Sequence, residues 1–212
     1  MKKILFSDID GTLVNGDQPI SSKDQEAIKK LREKGHYFSF CTARNIQETK
    51  IITPYFEYDY LVLNNGAMIV DQQDQVLYRK QIKNEIAKEI LNESMKKYPY
   101  LNYTFFDGKQ TYGFINEKTC KLTKEGYQEI EGNFLDILNN TTEDIDIVCA
   151  FHPEEKLDEI KEIQQQINQK YTGIHATLNV VYLDITVDCT KGTGLQKLCS
   201  LFKEDVTSYC IG

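Results

Sequence analysis

Short apolar runs alternate with segments of helical periodicity in the first third of the chain. The run ILFS at residues 4–7 predicts a buried strand, and the next segment predicts a helix that Ser21 or Ser22 caps and Gly35 ends. The runs YFSFC and YLVLN predict two more short strands with a second helix between them. Strands that are apolar throughout and alternate with helices indicate an α/β fold with a parallel, Rossmann-like sheet covered on both faces.

The pattern changes at about residue 83. An amphipathic helix is followed by LNYTFFDGKQTYGF, which predicts two strands around a turn at Asp107 and Gly108. Further along, the sequence predicts a strand at IDIVCAF, a helix with Pro153 at its start, and two strands at IHATLN and VVYLDITV. Local strand pairing has therefore replaced the long crossovers of the first part.

The last part of the chain returns to the first pattern. KGTGLQKLCSLF predicts a helix, and VTSYCIG predicts one more core strand. We therefore expect an α/β core formed by residues 1–82 and 185–212, with an inserted α+β domain at residues 83–184.

Polar side chains follow each of the first three predicted strands. Asp8 and Asp10 come after the first strand, Thr42 follows the second, and Asn65 follows the third. Alternate residues of a strand point to the same side, so we expect the two carboxylates to lie close together. Ligands of parallel sheets bind at the carboxyl ends of the strands, which is where these four side chains are predicted to meet.

Two neighbouring carboxylates repel each other, so this pair is stable only with a bound cation or with one acid protonated. A Mg²⁺ ion held partly by Asp8 keeps that carboxylate ionised as a nucleophile, and Asp10 then serves as general acid and base. Gly11 lets the backbone approach a ligand closely, and Thr12 adds a hydroxyl group beside it. These are the parts of a phosphoryl-transfer site.

Residues after other predicted strands extend this constellation. Thr42 can donate a hydrogen bond to a phosphoryl oxygen, and Lys191, at the start of the last predicted helix, supplies a cation. Taken singly, each is also typical of a strand-end cap or a surface lysine, so the signal lies in their order after D-x-D-G-T. Arg44 and Asn65 are weaker candidates for substrate contacts.

Charge and composition exclude several classes of partner. The 212 residues include 25 basic and 32 acidic side chains without a basic cluster, so we expect no nucleic acid and no membrane partner. No apolar segment approaches the roughly 18 residues of a membrane span, and Asp8 interrupts the first apolar run, so the chain is predicted to be cytoplasmic. The six cysteines form no C-x-x-C pair and the three histidines lack zinc-site spacing, which favours a hard metal.

Four segments, FSDIDGTLV, FSFCTAR, VLNNGAMIV and TVDCTKGTGLQKL, resemble in order and spacing the haloacid dehalogenase superfamily, and within it the Cof-like sugar-phosphate phosphatases. The resemblance implies a Mg²⁺-dependent phosphatase in which Asp8 forms an aspartyl-phosphate. It implies that Asp10 protonates the leaving oxygen, activates water and offers its backbone carbonyl to Mg²⁺, and that Thr42 and Lys191 hold the transferring phosphoryl group.

The resemblance also bears on the substrate, which is expected to be a small phosphorylated metabolite. Arg44 and Asn65 match positions near the phosphate or substrate, and with Gly11 and Thr12 they are the predicted substrate-binding residues. Residues 83–184 correspond to the inserted α/β cap domain, which in such proteins closes over the site.

One segment of the family pattern is not matched. In such proteins the strand corresponding to YCIG is followed by a G-D-x-x-N-D segment whose acids complete the Mg²⁺ site, and this sequence ends at Gly212. We therefore expect weak Mg²⁺ binding and little Mg²⁺-dependent turnover by the 212-residue chain itself. A phosphomutase of related fold, a phospho-accepting signalling receiver and a catalytically inactive binding domain remain open as alternatives.

Overall fold

The computed structural model describes residues 1–15, 19–53 and 56–212. In chain order its first elements are β1 (Lys2–Ser7), α1 (Ser22–Glu33), β2 (Tyr37–Cys41), α2 (Ile46–Ile52), β3 (Tyr60–Leu63), a 3-10 turn (Asn64–Gly66), β4 (Met68–Asp71) and β5 (Val76–Arg79). They are followed by α3 (Asn84–Lys97), β6 (Asn102–Phe106), β7 (Thr111–Ile115), β8 (Lys118–Thr123), β9 (Gly126–Glu129) and α4 (Phe134–Asn140). The last are β10 (Ile147–Phe151), α5 (Leu157–Lys170), β11 (Ile174–Asn179), β12 (Tyr182–Val187), α6 (Lys191–Leu201) and β13 (Val206–Ile211).

The chain divides into two compact units. The core unit comprises Met1–Arg79 and Cys189–Gly212, and the inserted unit comprises Lys80–Asp188. The limits of the inserted unit lie a few residues outside the predicted segment 83–184. Ile82 already forms a β-bridge with Ile145, and β12 continues past residue 184. Within the described ranges, no helix is both long and apolar enough to cross a membrane.

The core unit contains a six-stranded sheet in the order β13-β1-β2-β3-β4-β5. The pairs from β13 to β3 are parallel, and β4 and β5 add an antiparallel hairpin at the far edge. The predicted α/β class with a parallel-sheet core is therefore confirmed, whereas the hairpin was not predicted. The strand predicted at VTSYCIG is confirmed as β13, which pairs with β1 at the edge of the described sheet and has residues 208–211 exposed.

Helices cover both faces of the core sheet because alternate strand residues face opposite sides. Phe38 and Phe40 of β2 pack in one apolar cluster with Ile28 of α1. Cys41 packs in the other cluster with Leu198 of α6. Complete burial of each phenylalanine contributes about 1.5–3 kcal/mol relative to exposure, so this alternation fixes the register of β2 within the sheet.

The inserted unit contains a seven-stranded sheet in the order β11-β12-β10-β6-β7-β8-β9, and every pair in it is antiparallel. The predicted strand pair around Asp107 and Gly108 is confirmed as β6 and β7. Strands β8 and β9 and helix α4 were not predicted. The placement of Pro153 at the start of a helix is wrong: α5 begins at Leu157, and the intervening residues form a turn with Glu155 at φ +57°.

Candidate active site

A tight turn follows β1 and carries four of the predicted site residues, Asp8, Asp10, Gly11 and Thr12. The buried carbonyl of Ile9 accepts hydrogen bonds from the backbone N–H groups of residues 12–14 at 3.3, 3.0 and 2.9 Å. Gly11 lies in this turn at φ +73°, a conformation that favours glycine. The exposed Gly11 and the half-buried Thr12 are therefore presented by a turn that Ile9 anchors in the core.

The two predicted carboxylates flank Ile9 in this turn. Strand β1 ends at Ser7, so the alternation rule that suggested a common direction for Asp8 and Asp10 does not extend to Asp10. Each carboxylate instead forms an ion pair with a different cation. The site therefore consists of two charged pairs carried by one turn.

The first pair joins Asp8 and Lys191. The Nζ atom of Lys191 donates to Oδ2 of Asp8 at 2.6 Å, and the backbone N–H of Ile9 donates to Oδ1 at 2.8 Å. The side chain of Asp8 is 27% exposed and that of Lys191 is 36% exposed. Lys191 is the first residue of α6, which Thr190 caps through its side chain. A partly exposed carboxylate is thus oriented by two donors beside a fixed cation.

The second pair joins Asp10 and Arg44. The Nε and Nη2 atoms of Arg44 donate to Oδ2 and Oδ1 of Asp10 at 2.8 and 2.9 Å, which is the bidentate arrangement of a guanidinium with a carboxylate. The Asp10 side chain is 52% exposed. At this exposure the pair contributes little to folding, at most about 1 kcal/mol.

Thr42, Arg44 and Asn65 belong to one hydrogen-bonded loop system. The hydroxyl oxygen of Thr42 accepts from the backbone N–H of Arg44 at 3.2 Å, and its carbonyl accepts from the N–H of Asn65 at 3.1 Å. Thr42 and Asn65 are both buried. The structure therefore connects Asp10, Arg44, Thr42 and Asn65, and connects Asp8 with Lys191.

Cys41 lies beside this site but does not suit nucleophilic chemistry. Its thiol is 3.9 Å from the carbonyl oxygen of Lys191. Burial raises the pKa of the Cys41 thiol to about 12, against the opposing effect of the Lys191 charge. The thiol is therefore neutral at physiological pH and is a poor nucleophile.

The donor set bears on the metal that the sequence predicts. Among the residues that the structure describes, no three acidic, histidine or cysteine side chains are close enough to hold a metal ion together. Mg²⁺ is commonly held by one or two carboxylates, with water and phosphate in its other positions. Asp8 and Asp10 fit part of such a site as oxygen donors, and water or phosphate would supply the rest.

Gly66 was not singled out in the sequence, and Gly194 was noted, with Gly192, only for its place at the start of the helix that Lys191 opens. Gly66 ends the 3-10 turn after β3, and Gly194 lies in the first turn of α6. The two backbones are in direct contact. The Asn-Gly dipeptide at 65–66 is a turn signal that marks Gly66. The sequence around Gly194 does not indicate the contact, because the contact is made with a distant segment of the chain.

Comparison with known proteins gives a match across nearly the whole chain. The model of the haloacid dehalogenase-like hydrolase family matches residues 5–210. An HMP-PP phosphatase of Klebsiella pneumoniae is 24% identical over 203 residues, which cover 93% of this chain and 72% of that protein. A glucosyl-3-phosphoglycerate/mannosyl-3-phosphoglycerate phosphatase of Methanococcoides burtonii is 24% identical over 210 residues, covering 98% of this chain and 75% of that protein.

Other alignments are shorter. A relative from Buchnera aphidicola is 31% identical over 102 residues, which cover 48% of this chain and 38% of that protein.

Among solved structures, a haloacid dehalogenase-like hydrolase of Bacillus subtilis superposes with a TM-score of 0.82 at 16% identity, covering 99% of this chain and 82% of that one. At this identity the likeness shows a shared fold.

Proposed function

Because the chain belongs to the haloacid dehalogenase-like hydrolase family, we propose that it is a Mg²⁺-dependent phosphatase of small phosphorylated metabolites, with sugar phosphates as the substrate class. The observation that carries the proposal is the pairing of Asp8 with Lys191. A partly exposed carboxylate oriented by a backbone N–H is a suitable nucleophile, and a cation beside it stabilises an incoming phosphoryl group.

In the proposed reaction a carboxylate oxygen of Asp8 attacks phosphorus and forms an aspartyl-phosphate. The bond from phosphorus to the substrate oxygen breaks, and Asp10 donates a proton to that oxygen. Water then attacks phosphorus, Asp10 takes up a proton from it, and inorganic phosphate leaves Asp8 free again. Asp10 is bound by Arg44 in the structure, so it must exchange this partner for the leaving oxygen.

The remaining residues hold the transferring group. Lys191 and the hydroxyl group of Thr42 would bind phosphoryl oxygens, and Arg44, once released from Asp10, would bind the phosphate or the substrate. Gly11, Thr12 and Asn65 would contact the substrate. The carboxylate of Asp8 and the backbone carbonyl of Asp10 would hold Mg²⁺, which when bound would neutralise charge on the phosphoryl oxygens.

We propose further that the inserted unit corresponds to the cap domain implied by the sequence resemblance, and that the enzyme acts in the cytoplasm. Two relatives aligned over most of this chain are named for phosphatase activity on different compounds, HMP-PP and phosphorylated glycosyl glycerates. This difference supports a common reaction with a variable substrate.

The test is a screen for phosphate release from sugar phosphates, nucleotides and phosphorylated cofactors, with and without Mg²⁺, run on the 212-residue chain and on a form that carries a G-D-x-x-N-D segment after Gly212. Asp8→Asn is nearly isosteric but cannot attack phosphorus, so it should abolish release. The matched control is Asp158→Asn, which makes the same change at a fully exposed position of α5. Equal release by the wild type and Asp8→Asn would overturn the nucleophile assignment.

The same screen separates the alternatives. Formation of an isomerised sugar phosphate without free phosphate would indicate a phosphomutase. If no compound is hydrolysed while inorganic phosphate still raises the melting temperature, the chain is a phosphate-binding domain and the proposed activity is wrong.

A further inference from the structure

The turn after β3 has an unusual backbone. Asn64, Asn65 and Gly66 have φ angles of +51°, +53° and +99°, so two residues with side chains occupy the left-handed region. Such conformations persist only where their surroundings hold them. The backbone N–H of Asn64 donates a hydrogen bond to the carbonyl oxygen of Arg44 at 3.1 Å, and the backbone N–H of Asn65 donates one to the carbonyl oxygen of Thr42, also at 3.1 Å. The turn is thereby fixed to the loop that carries two predicted site residues.

The other side of this turn lies directly against α6. A Cβ atom on Gly66 would overlap the carbonyl oxygen of Thr190. A Cβ atom on Gly194 would lie 2.6 Å from the Cα atom of Gly66 and 2.7 Å from Cγ1 of Val62. Neither glycine has room for a methyl group, so the two backbones approach as closely as they can.

The contact lies one helical turn from Lys191. Lys191 opens α6 and Gly194 follows three residues later. How closely Gly194 approaches Gly66 therefore sets the position of the first turn of α6, and with it the position of Lys191. The Nζ atom of Lys191 reaches Oδ2 of Asp8 at 2.6 Å. We infer that the contact between Gly66 and Gly194 positions Lys191 against Asp8 and relative to the Thr42 loop. The inference rests on the proposed function, in which Lys191 holds the phosphoryl group.

The decisive variant is Gly194→Ala. Gly194 has helical geometry, so alanine is acceptable to the backbone, and the added methyl group disturbs the contacts with Gly66 and Val62. The first turn of α6 and the Gly66 turn have to move apart by several tenths of an ångström. Because a misplacement of 1 Å can cost about 100-fold in rate, we expect kcat/KM to fall by about 10- to 100-fold.

Gly192→Ala is the matched control. It makes the same change in the same helical turn, but the added methyl group would meet only Oγ1 of Thr190 at 3.6 Å, an ordinary contact. We expect kcat/KM of this variant to stay within about twofold of the wild type, because alanine is favourable in helices. A loss in Gly192→Ala as large as in Gly194→Ala would overturn the inference.

A double-mutant cycle separates positioning from general damage. If Gly194 acts through Lys191, then Gly194→Ala should cause little further loss in a Lys191→Ala background. If the glycine has only a structural role, the two losses should multiply, and that result would overturn the inference. Should Gly194→Ala fail to fold, Val62→Ala with Gly194→Ala is compared with Val62→Ala alone, since the smaller residue removes one of the close contacts.

A crystal structure of Gly194→Ala tests the positioning without any assay. We expect the distance from Lys191 Nζ to Asp8 Oδ2 to exceed 2.6 Å while β1, β2 and β3 keep their positions. An unchanged distance would overturn the inference. Absence of phosphate release by the wild type in both forms of the screen would refute the proposed function instead, because the crystal structure measures the position of Lys191 without any activity.

Discussion

Lys191 and Asp8 form an ion pair at 2.6 Å although 183 positions separate them in the chain. Most of this separation is the inserted unit, Lys80–Asp188. Because α6 starts directly after that unit and packs on the same face of the sheet as Phe6 of β1, its first residue meets the turn at the end of β1. At the observed exposure such a pair contributes at most about 1 kcal/mol to stability. Its main consequence is therefore that it holds a positive charge beside the carboxylate of Asp8.

Replacing Lys191 by alanine should lower kcat/KM and raise the Mg²⁺ concentration needed for half-maximal rate, since one cation can partly replace another at the phosphoryl group. Phosphate release measured over a Mg²⁺ titration checks this. Lys197→Ala is the control on the same helix, because the Nζ atom of Lys197 lies over the ring of Tyr78 at 5.3 Å. Unchanged kinetics in Lys191→Ala would assign the lysine to the surface.

Asp10→Asn should reduce turnover by about 10²- to 10⁴-fold, the range expected when a general acid-base group is lost. The loss should be larger for alkyl phosphates than for p-nitrophenyl phosphate, because a good leaving group needs no proton. Parallel measurement of kcat for both substrate types tests the role. Equal losses for the two would argue against Asp10 as the general acid.

Arg44→Lys should weaken activity without unfolding the protein. Lysine keeps the charge but loses the bidentate geometry, so we expect KM to rise at least several-fold and the free energy of unfolding to change by less than about 0.5 kcal/mol.

Arg32→Lys is the matched control for this change. Arg32 forms a similar two-point contact with Asp59, at 3.1 and 3.2 Å, in a less exposed setting. Its replacement should lower the free energy of unfolding by about 1 kcal/mol and leave KM unchanged. If both variants lost stability and kept KM, Arg44 would be a structural residue.

Cys41 should resist alkylation in the native protein. Its pKa of about 12 leaves roughly one thiol in 10⁴ ionised at pH 8, because only the thiolate reacts. Iodoacetamide should therefore label the exposed Cys210 well before Cys41, and labelling of Cys41 should keep rising above pH 10. Mass spectrometry over a pH series measures this. Rapid native labelling of Cys41 at pH 8 would contradict the prediction.

Features of the fold that depend on local pattern were predictable from the sequence. The apolar runs of β1 to β3, separated by helical segments, indicate the parallel sheet, and the segment FSDIDGTLV indicates the family that the comparison confirms. The roles of Asp8, Asp10, Thr42 and Lys191 stay predictions. Their placement nonetheless follows the rule that strand ends at one edge of a parallel sheet gather ligand-binding side chains.

Features that depend on distant contacts were not predictable. The pairing of Asp10 with Arg44 requires the end of β1 and the loop after β2 to be placed in space, which no periodicity encodes. The contact of Gly66 with Gly194 joins segments on either side of the inserted unit. The apolar run of β13 does not by itself indicate an edge position, because such a run looks the same whether one or two strands flank it.

Strand β1 pairs with β2, which follows closely in the chain, and with β13, which comes about 200 residues later. During synthesis from the N-terminus, the side of β1 that accepts β13 therefore stays unpaired until the inserted unit has left the ribosome. That unit contains all the strand partners of its own sheet and can fold first. Closure of β13 onto β1 is a long-range, slow step, and until it occurs a nascent β1 offers its open edge to other chains.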